Sequence, residues 1–474
     1  MANWKDMRAF KQASLNMVLA IFVMSVSVFS YGFDNSVFST IQAMDAYEKR
    51  FGTYNPETKT WGFTTQHLSF LNSLGLPAKC VGAVMGLLVA EKFGRRISYI
   101  AMQFVVLVGI AVSYSATAYG GALAGRILVQ CFVGWDNFLV PMFLAEISPA
   151  ALRGAIVVIY VFAHIFGSLI CSFITLITAK YEGDASWQIP LASMFAFPAF
   201  VLLFSWFVPE SPRWLVRKGQ NERALKHLRW LRGSRLSEQE SQAEVHALQE
   251  SIERDRERRL RIAIAVAIFN QVTGQSFMSQ YGAIFIKSLG TMSPFTFQSI
   301  ASGITCLGPI ITFTFVDMIG RRPFYLVSGT ACIVATCTLF GFFYVMSFGG
   351  IGAVTAAEVP HLRLRDKNAL MVYCTQFVFD FIVTLTLPYL LNADYANLQS
   401  KVGFIYGSCG ILGLTWAYFC LPDMAGRSLE ELEQMWTENV PARAFRKWKS
   451  PAETGADDDM AKIAISPKQD SDRC

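Results

Sequence analysis

Asp34, Arg126, Asp136, His164 and Asp380 each stand inside a long apolar run, the aspartates in the contexts YGFD, GWDNF and FVFDFIV. A charge held in an apolar layer costs about 2.5–3.5 kcal/mol on insertion scales unless it is paired or lines a wet cavity. Each of these residues is therefore a candidate for handling protons or solute, and each also has a plainer reading. Asp34 lies in the outer part of its run, where it either takes up a proton or faces solvent and ends the helix. Asp136 either faces a cavity or bonds a neighbouring helix. His164 shares a helical face with Val161 and Ser168 by i, i+3 and i+7 spacing, which suits packing as well as a cavity. Asp380, a lone acid among aromatics, is either a buried neutral acid or a second proton or cation site. Enzyme chemistry has no visible carrier. There is no Walker or dinucleotide loop, no Ser/His/Asp or paired-carboxylate arrangement in a soluble segment, and no CxxC or Cys/His metal spacing. The chain is expected to be no enzyme, with no cofactor and no metal.

The elements that must hold these residues follow from composition and its distribution. The chain has 474 residues, 53% hydrophobic and 16% charged, against roughly 25% charged in an average soluble domain. Its mean hydropathy is +0.37. Apolar stretches of about 20 residues recur along it, the length that crosses a bilayer as a helix satisfying its own backbone. Helices are expected near 15–34, 67–91, 97–118, 121–145, 154–178, 188–208, 262–286, 297–317, 368–391 and 402–421. Most of the 10 cysteines, Cys171 and Cys306 among them, fall inside these runs as small packing residues. The basic start of the chain has no cleavage pattern, so the first run reads as a retained helix rather than a signal peptide. Between the sixth and seventh helices, the polar segment 213–261 places Ala224, Leu228 and Leu231 at helical spacing.

Basic residues orient the bundle. Lys5, Arg8 and Lys11, then Lys92, Arg95 and Arg96, then Arg153, the 213–261 segment, and Arg321 with Arg322 mark one side; the opposite loops carry few. The positive-inside rule puts both termini and the central segment in the cytoplasm. This topology accounts for the net charge of +6 without a nucleic-acid partner. The expected organisation is a six-helix half (1–208), a cytoplasmic linker with short helices (209–261), a second helical half (262–425) and a cytoplasmic tail (426–474). Such two-half architectures hold a solute between the halves near the midplane.

Ordered motifs at helix ends refine this. GLLVAEKFGRR (86–96) is answered by DMIGRR (317–322) in the second half. Gly125-Arg126 opens the fourth helix, which ends AEISPAALRG (145–154). PESPRWL (209–215) closes the sixth, AEVPHLRLR (357–365) repeats the acid-to-arginine pattern, and LPDMAGRSLEELE (421–433) follows the last. In this order, over nearly the whole chain, they resemble the sugar porter family of the major facilitator superfamily, of the fungal sugar/proton symporter type. The resemblance implies an all-α polytopic membrane protein, a two-half bundle of nominally 12 helices. It implies a plasma-membrane monomer in the lipid bilayer that carries a small sugar-like solute by alternating access, with or without protons.

It also assigns roles. Glu91, Glu146, Glu210, Asp317 and Glu358 lie near Arg95, Arg96, Arg153, Arg213, Arg321, Arg322 and Arg365 where helices meet the cytoplasm, and such clusters pair in one state and part in another. In proton-coupled relatives the residue matching Asp34 takes up the proton and that matching Arg126 modulates it. Burial disfavours the carboxylate charge and a nearby arginine restores it, so parting the pair favours protonation. In the seventh helix, NQVTGQSFMSQY supplies Asn270, Gln271, Gln275, Gln280 and Tyr281 as candidate hydrogen-bonders, beside His164 and Asp136, with Phe33, Phe377 and Phe381 as apolar walls. The chain departs from the family here. Ser276 replaces an Asn, Gln280 a Tyr, Val161 a sugar-binding Gln and Ala353 a stacking Trp, while Asp380 stands where a neutral Asn is usual. Hexose recognition rests on amide hydrogen bonds and an aromatic platform. The altered set therefore also suits a less polar or a charged metabolite, and exporter of a secondary metabolite is the competing class.

One stretch is too short. DMIGRR and AEVPHLRLR both read as cytoplasmic, so an even number of crossings must join them. Two helices need about 40 residues plus a turn, and 323–357 does not provide them. About one helix is lost. Either one long helix crosses once, or two short broken helices re-enter, or splicing or gene modelling has removed residues. The loss raises a third class, a non-transporting paralogue or sensor, for which a longer signalling tail is expected.

Overall fold

The computed structural model describes residues 14–56, 59–148, 153–232, 257–289, 292–319, 321–335, 337–349, 365–391, 398, 401–421 and 435. Nearly all of them are helical, and among them nine helices are long and apolar enough to cross a membrane. The first six spans are Leu15–Ile41, Thr65–Phe93, Arg95–Tyr114, Tyr119–Ile147, Arg153–Thr178 and Ala185–Phe207. The eighth is Pro294–Ile319, the eleventh Arg365–Leu391 and the twelfth Val402–Cys420. Each expected helix is present, with ends shifted by a few residues except at the first, which runs on to Ile41. That extension carries Asp34 into the helix interior rather than to a terminus.

Local chemistry sets the ends. The Ser14 hydroxyl accepts from the backbone N–H of Met17 and caps the first span, and Thr64 caps the second through His67. Outside the bundle, Phe22, Leu88, Phe104, Leu203 and Phe404 are exposed. That apolar exterior would aggregate in water and is the side that lipid solvates. Inside, one core joins the first six spans and a second the later ones. Of the linker, the helices Pro212–Arg217 and Asn221–Arg232 are described. They bury Leu215, Ala224 and Leu228 against each other, and Ser14 and Asn16 of the first span donate to the carbonyls of Leu231 and Trp230. The Ala224 face read from spacing is thus the packed one.

The seventh span is broken. Helix Glu257–Val272 stops before Gly274, whose φ of 93° lies in the left-handed region. A π-helical turn, Phe277–Tyr281, leads into Gly282–Leu289. π-turns of this kind re-aim side chains at sites, and this one turns the glutamines of the seventh span inward.

The short stretch resolves into two pieces. Helix Arg321–Val334 has 14 residues, which at 1.5 Å per residue reach only about 21 Å of a ~30 Å hydrocarbon layer. Cys337–Tyr344 continues as a π-turn to Gly349 and returns beside it. Tyr325 meets Phe348 edge-on at 5.2 Å and the Cys332 thiol lies 3.9 Å from the Phe340 carbonyl, so the pieces run antiparallel. The alternative of two short re-entering helices is the one the structure adopts, and a single long crossing is excluded. The AEVPHLRLR motif up to Leu364, with Glu358, lies outside the described residues, as do 233–256 and the 426–474 tail apart from Met435.

Candidate functional site

A cavity of about 280 Å³ lies between the halves. From the first half it is lined by Tyr31, Asn35, Lys79, Asn137, Tyr160, Val161 and His164, and from the second by Asn270, Gln271, Gln275, Gln280, Gln376, Phe377 and Asp380. Amides thus surround it from both sides. Asn35 meets the His164 ring nitrogen at 3.4 Å, and the Tyr31 and His164 rings lie 4.3 Å apart. Tyr160 donates to the Asn137 amide oxygen at 2.9 Å, and Tyr344 donates to Asn270. His164, with its alternative roles, is a lining residue that also packs.

Two expected binding residues lie elsewhere. Asp136 is fully buried inside the first half, where Ser27 donates to one carboxylate oxygen and Gln103 donates to Ser27 at 3.2 Å. It bonds the neighbouring first span because its side of the fourth span faces that span, while the next residue, Asn137, turns to the cavity. Tyr281 is buried beside the eleventh span and donates to the Thr384 carbonyl at 3.2 Å. Of the expected apolar walls only Phe377 lines the cavity; Phe33 packs against Phe197 instead.

Lys79 is the main residue that sequence reasoning missed. It is 6% exposed, in the second span, and its ammonium lies 3.7 Å from the Asp380 carboxylate of the eleventh. The other Asp380 oxygen accepts from Ser276 and, at 3.3 Å, from Thr384. Asp380 is therefore neither lone nor merely walled by aromatics. The rule that singled out Asp380, a charge inside an apolar run, applies equally to Lys79 in GLPAKCVG. Asn35, Asn137 and Gln376 were also missed, and isolated polar residues give no periodic signal.

Beside the cavity, Asp34 and Arg126 form a buried pair at 2.7 Å, 3% and 5% exposed. Gln130 donates to the same carboxylate oxygen at 3.1 Å, and the guanidinium sits 3.9 Å over the Phe38 ring. The solvent-facing reading of Asp34 is ruled out by this burial.

At the end of the bundle that carries the basic loops, Arg95 is wholly buried. Its guanidinium donates to both oxygens of Glu146, at 3.2 and 3.3 Å, and to the Ala90 carbonyl at 3.0 Å. Glu210 accepts the backbone N–H groups of Arg95, Arg96 and Ser211. This seats a carboxylate on the positive end of the third span. Burial nevertheless pushes the Glu210 carboxyl up, with those donors pulling the other way. Gly94 makes the seat possible. Its φ is 100°, and a Cβ there would lie 2.4 Å from a Glu210 oxygen. Arg217 of the linker helix approaches Glu146 at 3.9 Å, and the Glu91 carbonyl accepts from the Trp214 indole. These contacts tie the first half to its linker, and none of them reaches the second half. Arg213 opens the short linker helix, half-buried. Arg322 donates to the Tyr418 carbonyl in the second half. The side chains of Arg153, Asp317, Arg321 and Arg365 lie outside the described residues.

The opposite end has a contact between halves that was not foreseen. Lys287, at the end of the seventh span, reaches the Ala43 carbonyl, Asp45 and Glu48, each at 3.0 Å.

A two-half helical bundle enclosing a polar cavity, with buried charge pairs beside it, defines a membrane transporter rather than an enzyme. The chain belongs to the Sugar (and other) transporter family, whose pattern matches residues 20–341 and 329–436. Both matched stretches claim 329–341, inside the short hairpin, which is where the chain is too brief for the full pattern. The major facilitator-type transporter ecdD of Aspergillus rugulosus is 27% identical, the match covering 88% of this chain and 87% of that protein. The hexose transporter HXT13 of Saccharomyces cerevisiae is 22% identical, over 94% of this chain and 87% of its own. The high glucose sensor RGT2 of the same yeast is 25% identical, over 92% of this chain and 62% of its own. Among solved structures, the proton:xylose symporter XylE bound to 6-bromo-6-deoxy-D-glucose is similar, with a TM-score of 0.74 at 23% identity over 89% of this chain and 99% of that one. The inward open xylose transporter XylE from E. coli gives 0.68 at 22% identity, over 89% and 100%. These likenesses fix the fold.

Proposed function

We propose that the protein carries a single hydroxylated, sugar-sized solute across the plasma membrane by alternating access, with proton movement coupled through Asp34 and Arg126. The observation that carries this reading is the amide-lined cavity between the halves. Its 280 Å³ sits just below the usual range of ligand pockets, ~300–1,000 Å³, which suits a monosaccharide better than a bulky metabolite. The relatives named hexose transporters and the sugar-bound symporter support the same class. Both termini and the Arg95 end are assigned to the cytoplasm, so the Lys287 end faces outward, and the protein acts as a monomer. Uptake of labelled hexoses and pentoses into proteoliposomes, with and without an inward proton gradient, is the direct test. Saturable uptake is expected, enhanced by the gradient; no flux of any solute across the panel would refute transport.

On this assignment Lys287 helps hold the outer end closed, and the pH response has a definite sign. Burial pushes the Glu48 carboxyl up and Lys287 pulls it back only in part. In the open state Glu48 is solvated and ordinary, so the closed state binds the proton more tightly. Acidification therefore favours outer closure, and closure weakens as pH rises through the elevated value. Asp45 is 95% exposed and adds little. Labelling of a cysteine placed at Asn35 by an impermeant maleimide from outside, divided at each pH by the rate for the unfolded protein to remove the thiol's own pH dependence, is expected to fall on acidification. It should rise in Lys287→Ala, where Glu48 loses its partner. Faster labelling at low pH would contradict the assignment.

A further inference from the structure

The Lys79 ammonium faces the cavity with a partner that only partly answers it. It sits 3.7 Å from Asp380, beyond the 2.7–3.2 Å of a good N–H···O bond. Its other close neighbour is the Phe377 ring, 5.7 Å to the centroid. The other Asp380 oxygen is held by Ser276 and Thr384, which fixes the carboxylate at that distance. A buried ammonium with free N–H donors is costly, and the cost falls when an anion takes its place among them. Lys79 is also held in position, since the fourth span packs Gly134 directly on its backbone, where a Cβ would lie 1.9 Å from the Lys79 carbonyl. Nearby, the side-chain oxygens of Gln275 and Gln280 have no donor among the described residues. They call for hydroxyl groups. A ligand that answers all of these demands carries a carboxylate at one end and hydroxyls along the rest.

We propose that the cavity selects a sugar acid, a uronate or aldonate of monosaccharide size, over the corresponding neutral sugar. Lys79 binds the solute carboxylate, and Gln275 and Gln280 accept from its hydroxyls. Asp380 is the internal competitor, which holds the ammonium between transport cycles and gives it up to the solute. This rests on the reading of the protein as a transporter of sugar-sized solutes.

The test uses purified full-length protein in proteoliposomes, with labelled D-glucuronate and D-glucose at equal concentration. Glucuronate is expected to be taken up at least about tenfold more efficiently, the discrimination one charge-assisted hydrogen bond supplies. Lys79→Gln should lower the apparent affinity for glucuronate by about ten- to a hundredfold, and Lys79→Arg should restore part of it. Asp380→Asn, which removes the competitor, should raise that affinity. Thermal melting of each variant in detergent checks that it is folded. Uptake of glucose with exclusion of glucuronate would overturn the inference and leave the transport reading standing. So would glucuronate affinity unmoved in a folded Lys79→Gln. Failure of both solutes, with no flux of any other sugar, would overturn both.

Discussion

Glu146→Gln is expected to destabilise the protein by about 3–5 kcal/mol, the penalty for removing one member of a buried ion pair. The magnitude follows from what is left behind. Arg95 is wholly buried and donates to both Glu146 oxygens. Glutamine keeps one acceptor and brings an NH₂ group that faces the guanidinium donor to donor. The Ala90 carbonyl remains, but a neutral acceptor does not replace a carboxylate opposite a guanidinium. Arg217, at 3.9 Å from the same carboxylate, loses that neighbour as well. Glu210 cannot substitute, because it is committed to backbone donors of Arg95, Arg96 and Ser211. Arg95→Lys should fall between, since lysine keeps the charge and loses the fork that matches a carboxylate. The measurement is the thermal unfolding midpoint in detergent, together with yield after solubilisation. A Glu146→Gln protein that melts with the wild type would show that the pair is not what holds this end together.

How much of this was legible beforehand depends on the kind of signal. Hydrophobic runs are long and redundant, so the spans came within a few residues of their places, and the Ala224 face of the linker helix followed from its period. The motif glutamate at 146 and the arginine at 95 were both expected near the same boundary, and they meet there. Which partner each takes was not legible, because pairing depends on how the spans cross, and Glu210 came to rest on backbone N–H groups instead of a side chain. The seventh span misled in part for a similar reason. At 100° per residue even a regular helix sets Tyr281 about 80° from Gln271 and about 120° from Gln275, and with the break at Gly274 and the π-turn after it Tyr281 meets Thr384. Lys79 is a single cation in an apolar run, and the partner it meets, Asp380, is set by how the second and eleventh spans cross. The reach of Lys287 to Glu48 crosses the boundary between halves, which no local pattern encodes.

Asp34→Asn is expected to abolish accumulation driven by a proton gradient while leaving solute exchange intact. In the structure the Asp34 carboxylate accepts from Arg126 at 2.7 Å and from Gln130 at 3.1 Å. Its burial is offset there by a cation and a donor on the same oxygen. A conformational change that draws the fourth span away from the first removes that offset and leaves a buried carboxylate, whose cheapest state is protonated. Proton uptake is thereby tied to the change of state, as coupling requires. Asparagine keeps the size and an acceptor for Gln130 but cannot change charge, so the step that couples is lost while the cavity, lined by other residues, remains. Arg126 would then rely on the Phe38 ring at 3.9 Å, and some loss of stability is expected alongside. Counterflow exchange in proteoliposomes separates the two effects, since it needs a folded, cycling carrier and no net proton movement. Asp34→Asn protein that exchanges solute but brings the internal concentration only to the external one places coupling at this pair. Accumulation equal to that of the wild type under the same gradient would place it elsewhere, with Asp380 the remaining buried acid that lines the cavity.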